Sequence, residues 1–398
     1  MQNSWKIYIL AIVSFLVGTS EFVIAGILDV VASDVGVTVA AAGQLITVYS
    51  LSYAIGTPIL IAFTAKMDRR KLMLVALALF IAGNLVTIST TGFAMLVGAR
   101  IILAIGTGVF MVVALTVAAK IAQPGKQGSA IATVLIGFNL ALILGVPLGR
   151  VIAGSYDWKI IFTGIGVLSL IAIFVLLLAI PKFEGETPIP FWEQLSIFKT
   201  PRISVALSIG FFWILGYTII YTYISPFLIT ITGMSDRMVS IGLFAFGIAS
   251  LLGSQVGGYG ADKWGIPRTM IGGLLLHSGI LLLITAFSHS VMFVMPLLMF
   301  WAFFAWSTGP VQQVYLIGMA PEASGIILSL NTSIIQLGMA VGAVIGGMAV
   351  ENISLQSVGW IGAIGVAIGL IPALVTFSMR SRSINGEQKL EKHNKLEF

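Results

Sequence analysis

A glutamate and an arginine stand where charge is expensive. Glu21 interrupts the apolar run KIYILAIVSFLVGTSEFVIAGILDV, and Arg100 interrupts another that begins near Ala94. Glu21 precedes Asp29 by eight residues and Arg100 follows Ala94 by six. At a helical rise of about 1.5 Å per residue, these spacings place them about 12 Å and about 9 Å inside an apolar layer. A carboxylate at such depth must be paired, hydrated or neutral, so it is a candidate for handling a proton or a substrate. The competing reading is a structural acid locked to a polar partner. Arg100 keeps its proton under physiological conditions and cannot carry one, but its field acts on an ionised Glu21 or on a substrate oxygen. The similar depths predict direct or water-mediated pairing.

Other polar and aromatic groups sit at helical spacing in apolar surroundings. Tyr49 and Tyr53 are four apart and share a face, with Gln44 five residues before Tyr49. Asn139 is buried by sequence context in a further run. Trp213, Tyr217 and Tyr221 recur every four residues along one side, which suits stacking of a flat ligand or packing against neighbours. Trp306, Gln312, Asn331 and Gln336 complete a candidate substrate-binding set. For each of them a single helix-to-helix hydrogen bond is the alternative role.

These residues need helices that cross a bilayer. Of 398 residues, 58% are hydrophobic and only 9% charged, against about 25% charged in an average soluble domain. Apolar runs near 7–29, 42–63, 72–91, 94–118, 128–152 and 158–180 precede a polar interval, and runs near 203–228, 238–258, 269–288, 291–319, 324–349 and 357–378 follow it. About 20 apolar residues span the hydrocarbon as a helix that satisfies its own backbone, and few runs alternate with period two as barrel strands would. The expected fold is therefore all-α and polytopic, with twelve transmembrane helices in two six-helix bundles. Its expected parts are an N-terminal bundle (1–180), a linker (181–202), a C-terminal bundle (203–379) and a tail (380–398). The linker segment FWEQLSIF reads as a short amphipathic helix at the membrane surface.

Twelve spans with the N-terminus inside put 17 of the 21 Lys and Arg on one side, whereas an odd count would scramble the separation. Short loops with that bias predict both termini in the cytoplasm. The net charge of +6 is thus assigned to membrane orientation rather than to nucleic acid. The first run lacks a cleavage pattern and leads straight into further spans, so it reads as the first helix.

Glycines add packing information. Gly145, Pro147 and Gly149 preclude a smooth bulky surface and predict a bend or tight seam. Gly338, Gly342 and Gly346 form a close-packing stripe. At an offset of 197 residues, Gly56, Gly145 and Gly149 match Gly253, Gly342 and Gly346, as expected of a transporter with two repeated halves and a midplane site. Arg150 reads as a snorkelling or helix-capping residue near a span end. With no cysteine, no histidine cluster and no run of acids, an enzyme lacks a reactive or metal-binding constellation. No cofactor is expected, and His277 reads as a packing or hydrogen-bonding residue. A channel fits two repeated bundles less well than a carrier.

The chain resembles the major facilitator superfamily, in its drug and proton antiporter branch. The family's loop signature is present as Gly258, Asp262, Lys263 and Gly265. Its first copy, AKMDRRK, has Ala65 at the acid position and Asp68 at the later glycine position, which weakens an N-terminal loop gate and makes Asp262 the candidate latch. Arg100 with Gly106 resembles the branch's fourth-helix motif, and Gly145, Pro147 and Gly149 resemble its antiporter motif, with Val146 intervening. Together with Glu21–Phe22, Gly43–Gln44 and the stretch Trp306 to Tyr315, the whole is similar to bacterial purine base and nucleoside efflux pumps, and more loosely to sugar efflux proteins. The resemblance implies a monomer that exports small organic molecules by alternating access, with protons as the coupling ion at Glu21 and Arg100. Purine bases or nucleosides are the first expectation for the solute; broad drug export or sugar efflux is the alternative.

Overall fold

The computed structural model describes residues 4–123, 126–183, 199–320 and 324–378. Among them are twelve helices long and apolar enough to cross a membrane. They are α1 (Trp5–Gly26), α2 (Val39–Phe63), α3 (Arg69–Ile88), α4 (Phe93–Ile121), α5 (Gln127–Ser155), α6 (Lys159–Ala179), α7 (Pro201–Tyr221), α8 (Asp236–Lys263), α9 (Ile266–Ala286), α10 (Val291–Met319), α11 (Ile326–Asn352) and α12 (Ser357–Ser378). The linker helix expected at 191–198, Glu322 and the tail bases beyond 378 lie outside the described residues. The face from which α1 starts and at which α12 ends is called the near face below; the opposite one is the distal face.

Side chains that a water-soluble protein would bury point outward, among them Phe174, Leu178 and Met292, which are 61%, 90% and 82% exposed. Hydrocarbon removes the penalty for exposing them, so helix association rests on close packing and on polar contacts. The starts of α2, α3 and α8 carry side-chain caps. Thr38 accepts from the Ala41 amide ahead of α2, and Ser235 from the Met238 amide ahead of α8. Asp68 caps α3 through Lys71 while its other oxygen accepts from the Phe183 amide, which ties the start of α3 to the chain leaving α6. Capping with an acid at a helix N-terminus suits both the free N–H groups and the helix dipole. The degraded first loop copy thus has a structural task at the near face.

Each half is built the same way. In the first, α5 lies on α1, α2 on α4 and α3 on α4; in the second, α11 lies on α7, α8 on α10 and α9 on α10. The matched glycines sit at matched contacts. A Cβ at Gly145 or Gly149 would meet Thr19 or Val23 of α1, and one at Gly342 or Gly346 would meet the Leu215 or Ile219 carbonyl of α7. Gly56 faces Ile105 of α4, and Gly253 faces the Phe303 carbonyl of α10. Two seams then join the halves, α2 against α11 and α5 against α8.

Two helices deviate from regularity. In α5 the turn Ala141–Gly145 widens to a π-type turn, with the Val146 amide reaching back five residues to Ala141. Pro147 follows, and its missing N–H and ring bulk account for the widening. After α7 the chain turns at Thr222–Tyr223 before the short segment Ile224–Pro226. Pro226 conflicts with a carbonyl four residues back, so α7 cannot run on as one rod.

Candidate functional site

Glu21 lies in the distal part of α1, five residues before its end at Gly26, 7% exposed, at the meeting of the two halves. Its position follows from close approach around it: a Cβ at Gly18 would lie 2.7 Å from the Phe138 carbonyl of α5. The Tyr49 hydroxyl, on α2, donates to Oε2 at 3.4 Å, and Gln336 Nε2, on α11, donates to Oε1 at 3.1 Å. The acid therefore hydrogen-bonds to its own half through one oxygen and to the opposite half through the other.

Arg100 of α4 is fully buried beside it, but the expected direct pairing is not formed. Its Nη1 donates to the Ser20 carbonyl at 2.9 Å, and its guanidinium carbon lies 5.0 Å from the centre of the Tyr49 ring. The bond to the Ser20 carbonyl sets its guanidinium against the backbone that precedes Glu21. The geometry differs because a guanidinium reaching α1 meets a backbone carbonyl and an aromatic face, both of which it binds well. Nε and Nη2 have no hydrogen-bond partner among the described residues. Tyr53, one turn along α2 from Tyr49, is buried on the same face.

The remaining candidates separate into groups. Gln44 lies away from Glu21, in the α2–α11 seam near the distal face, where it accepts from Thr47 and abuts Gly347. Asn139 is half-buried on α5 just before the π-type turn. The aromatics of α7 pack on one another and their neighbours. Tyr217 stacks on Tyr221 at 4.9 Å and 20°, Trp301 stands 5.4 Å from Tyr217, and Phe246 is 5.0 Å from Trp301. Trp306 meets Tyr217 edge-on at 6.0 Å. His277 accepts from Trp301 Nε1 at 2.9 Å within the same cluster, and Trp213 donates to the Ala305 carbonyl at 2.8 Å. These rings are engaged with each other, the packing role that their spacing allowed beside ligand stacking.

Carboxamides form a second polar patch. Gln312 of α10 donates to the Ala206 carbonyl at 2.7 Å, and Asn331 of α11 lies beside it at Gly210, where a Cβ would come within 3.2 Å of Asn331 Oδ1 and 3.6 Å of Gln312 Nε2. Gln312, Asn331 and Gln336 are at most 5% exposed, and the side-chain carbonyl oxygen of each has no donor among the described residues. At the near face, Asp262 and Lys263 are exposed. Gly265 has a φ of +86°, a left-handed turn that starts α9 and favours glycine. Gly258 faces open space.

Two residues with prominent contacts were not among the sequence-derived candidates. Arg150, read as a snorkelling or capping side chain, is 2% exposed and pairs with Asp29 at 2.5 Å and with Asp236 across the α5–α8 seam. Two carboxylates, Asp29 in its own half and Asp236 in the other, offset the cost of burying it. Tyr223, fully buried, donates to the Ala343 carbonyl at 3.2 Å, and its hydroxyl occupies the place a Cβ at Gly43 or Gly347 would fill. The nearby Ser225 hydroxyl donates to the Gly26 carbonyl at 2.7 Å. The glycines of α2 and α11 were the available signal, but their shared occupant comes from a third helix.

The Major Facilitator Superfamily model matches residues 10–324 and 206–396. Among curated proteins, the chain is 53% identical over 382 residues to the uncharacterized MFS-type transporter YbcL of Bacillus subtilis (strain 168), covering 96% of this chain and 98% of that one. It is 29% identical over 368 residues to the uncharacterized MFS-type transporter YtbD of the same organism, covering 91% and 92%. Among solved structures, a D-xylose-proton symporter superposes with a TM-score of 0.75 at 18% identity, over 92% of this chain and 96% of that one. A bacterial homologue of the human lysosomal transporter Spinster, in an inward-facing and unoccupied conformation, superposes with a TM-score of 0.74 at 15% identity, over 94% and 95%. At these identities the superpositions establish the fold.

Proposed function

This chain belongs to the Major Facilitator Superfamily, and within it we propose a proton-coupled exporter of small neutral organic solutes, with Glu21 as the proton carrier. It is a transporter rather than an enzyme, embedded in the membrane by twelve spans. The observation that carries the proposal is the hydrogen bond from Gln336 to Glu21, because one acid then belongs to both halves. An ionised Glu21 holds the Gln336 amide by a charge-assisted bond. Protonation removes that charge and loosens the contact between α1 and α11, so proton uptake biases the two orientations of the halves. Coupling then runs through Gln336, while Arg100, anchored to Ser20 and Tyr49, supplies a fixed positive field.

For the solute, the buried carboxamide oxygens of Gln312, Asn331 and Gln336 favour a molecule rich in O–H or N–H donors, such as a sugar, over a lipophilic cation. Purine bases and nucleosides are the second reading, since their edges also suit carboxamides. Their stacking partners, Tyr217 and Tyr221, are already occupied by one another. The working organisation is a monomer in a bacterial cytoplasmic membrane with both termini cytoplasmic, bundles at 1–180 and 203–379, and a latch role for Asp262 at the near face.

The test is gradient-driven transport in proteoliposomes. Glu21→Gln is expected to abolish the dependence on a proton gradient, and undiminished gradient-driven transport by that variant removes Glu21 as carrier. A competition panel of arabinose, adenosine, hypoxanthine and a cationic dye separates the solute classes, with arabinose expected to compete best.

A further inference from the structure

We propose that Arg150 is an ionic latch that closes the distal face between the two halves. The guanidinium lies at the distal end of α5 and is 2% exposed, while its two acid partners are progressively more open, with Asp29 at 26% and Asp236 at 66%. Its two arms are used differently. Nη1 serves the first half, bonding Asp29 at 2.5 Å and lying 3.4 Å from the Gly26 carbonyl that ends α1. Nη2 serves the second half, bonding Asp236 at the start of α8. A planar guanidinium can hold two carboxylates on separate nitrogens, which a single ammonium cannot do with the same geometry.

Contacts around this point belong to the same closure. The Gly26 carbonyl also accepts from Ser225 of the second half, so the end of α1 is held by Arg150 from one side and by the chain after α7 from the other. Along the same seam, Gly247 of α8 approaches so near α5 that a Cβ would lie 2.4 Å from Ile143 Cα. Opening the distal face therefore requires the bond from Nη2 to Asp236 to break, while the bond from Nη1 to Asp29 stays within one half. The charges permit this: with Asp29 retained, Arg150 remains paired after Asp236 moves away. A buried cation left without any partner would be strongly destabilising. The second acid thus makes the interbundle bond dispensable for folding and available for switching. This inference does not depend on the solute or on Glu21.

The chain contains no cysteine, so labels can be placed without background. Ser33→Cys and Arg237→Cys, both at exposed distal positions on opposite halves, carry spin labels whose separation is read by pulsed electron resonance in the full-length reconstituted protein. Asp236→Asn is expected to shift the population toward longer distances, Asp236→Glu to restore the short one, and Asp29→Asn to leave the short distance dominant. Two results overturn the latch. One is a distance distribution in Asp236→Asn that matches the parent; the other is equal lengthening in Asp29→Asn, which would make Arg150 a general structural hub. Because Asp236 is exposed and Arg150 keeps Asp29, Asp236→Asn is expected to elute as the same monodisperse species as the parent.

Discussion

At the scale of single residues, the two hydrogen bonds of Glu21 are unequal in length and in consequence. Gln336 approaches to 3.1 Å from the opposite half, whereas Tyr49 lies at 3.4 Å in the same half. Net contributions of neutral hydrogen bonds are about 1 kcal/mol and fall with distance, while those to a charged group are larger. Gln336→Ala is therefore expected to lower proton-driven transport by about ten-fold, within the usual range of a coupling free energy. Tyr49→Phe keeps the ring beneath Arg100 and is expected to change it by less than about three-fold. Initial rates at matched protein density in proteoliposomes check both, and the reverse order would place the coupling contact within the first half. The presence of an acid and an arginine inside apolar runs was legible from the sequence. Their partners were not, because Gln336 is 315 positions away in the chain and its rotation about α11 is set by packing.

At the scale of elements, glycine separates two roles that look alike in a sequence. Gly257 and Gly258 are adjacent on α8, yet a Cβ at the first would lie 2.0 Å from the Ser307 carbonyl, while the second meets nothing within 4 Å. Gly257→Ala is expected to push α8 from α10 at a cost of about 1–3 kcal/mol, the usual range for overpacking. Gly258→Ala is expected to be neutral or slightly stabilising, since alanine is the better helix former by up to about 1 kcal/mol. Thermal unfolding in detergent reads the difference, and equal losses would contradict the seam as described. The glycine stripe of α11 was legible as a close-packing surface because its four-residue period defines a face. The aromatic face of α7 was equally regular, but regularity does not say whether a face meets a cavity or its neighbours, and here the rings meet each other.

At the scale of the molecule, the contacts joining the halves cluster toward the distal face: Tyr223 with Ala40, Ser225 with Gly26, and Arg150 with Asp236. On the near-face half of α11, by contrast, Ser329 and Thr332 are polar and exposed. A cysteine at Ser329 or Thr332 is expected to react with a membrane-impermeant maleimide added from the cytoplasmic side only. Ser225→Cys is expected to be protected from both sides while the distal seam is closed. Labelling of Ser329→Cys from the outside would reverse the orientation assigned from the basic loops.

By itself, the sequence determined the class, the twelve spans and the repeat, because each follows from properties local to a run: apolar length, charge at its ends, and glycines at a fixed offset. It also singled out Glu21 and Arg100, since charges inside apolar runs are visible without a fold. Only the tertiary structure decided which residues meet. Side-chain partners depend on the rotation of each helix about its axis and on which helices are neighbours, and these are settled by the packing of all twelve together. That is why Glu21 is bonded to Gln336 rather than to Arg100, and why Arg150, an ordinary span-end arginine in the sequence, joins the two halves of the protein.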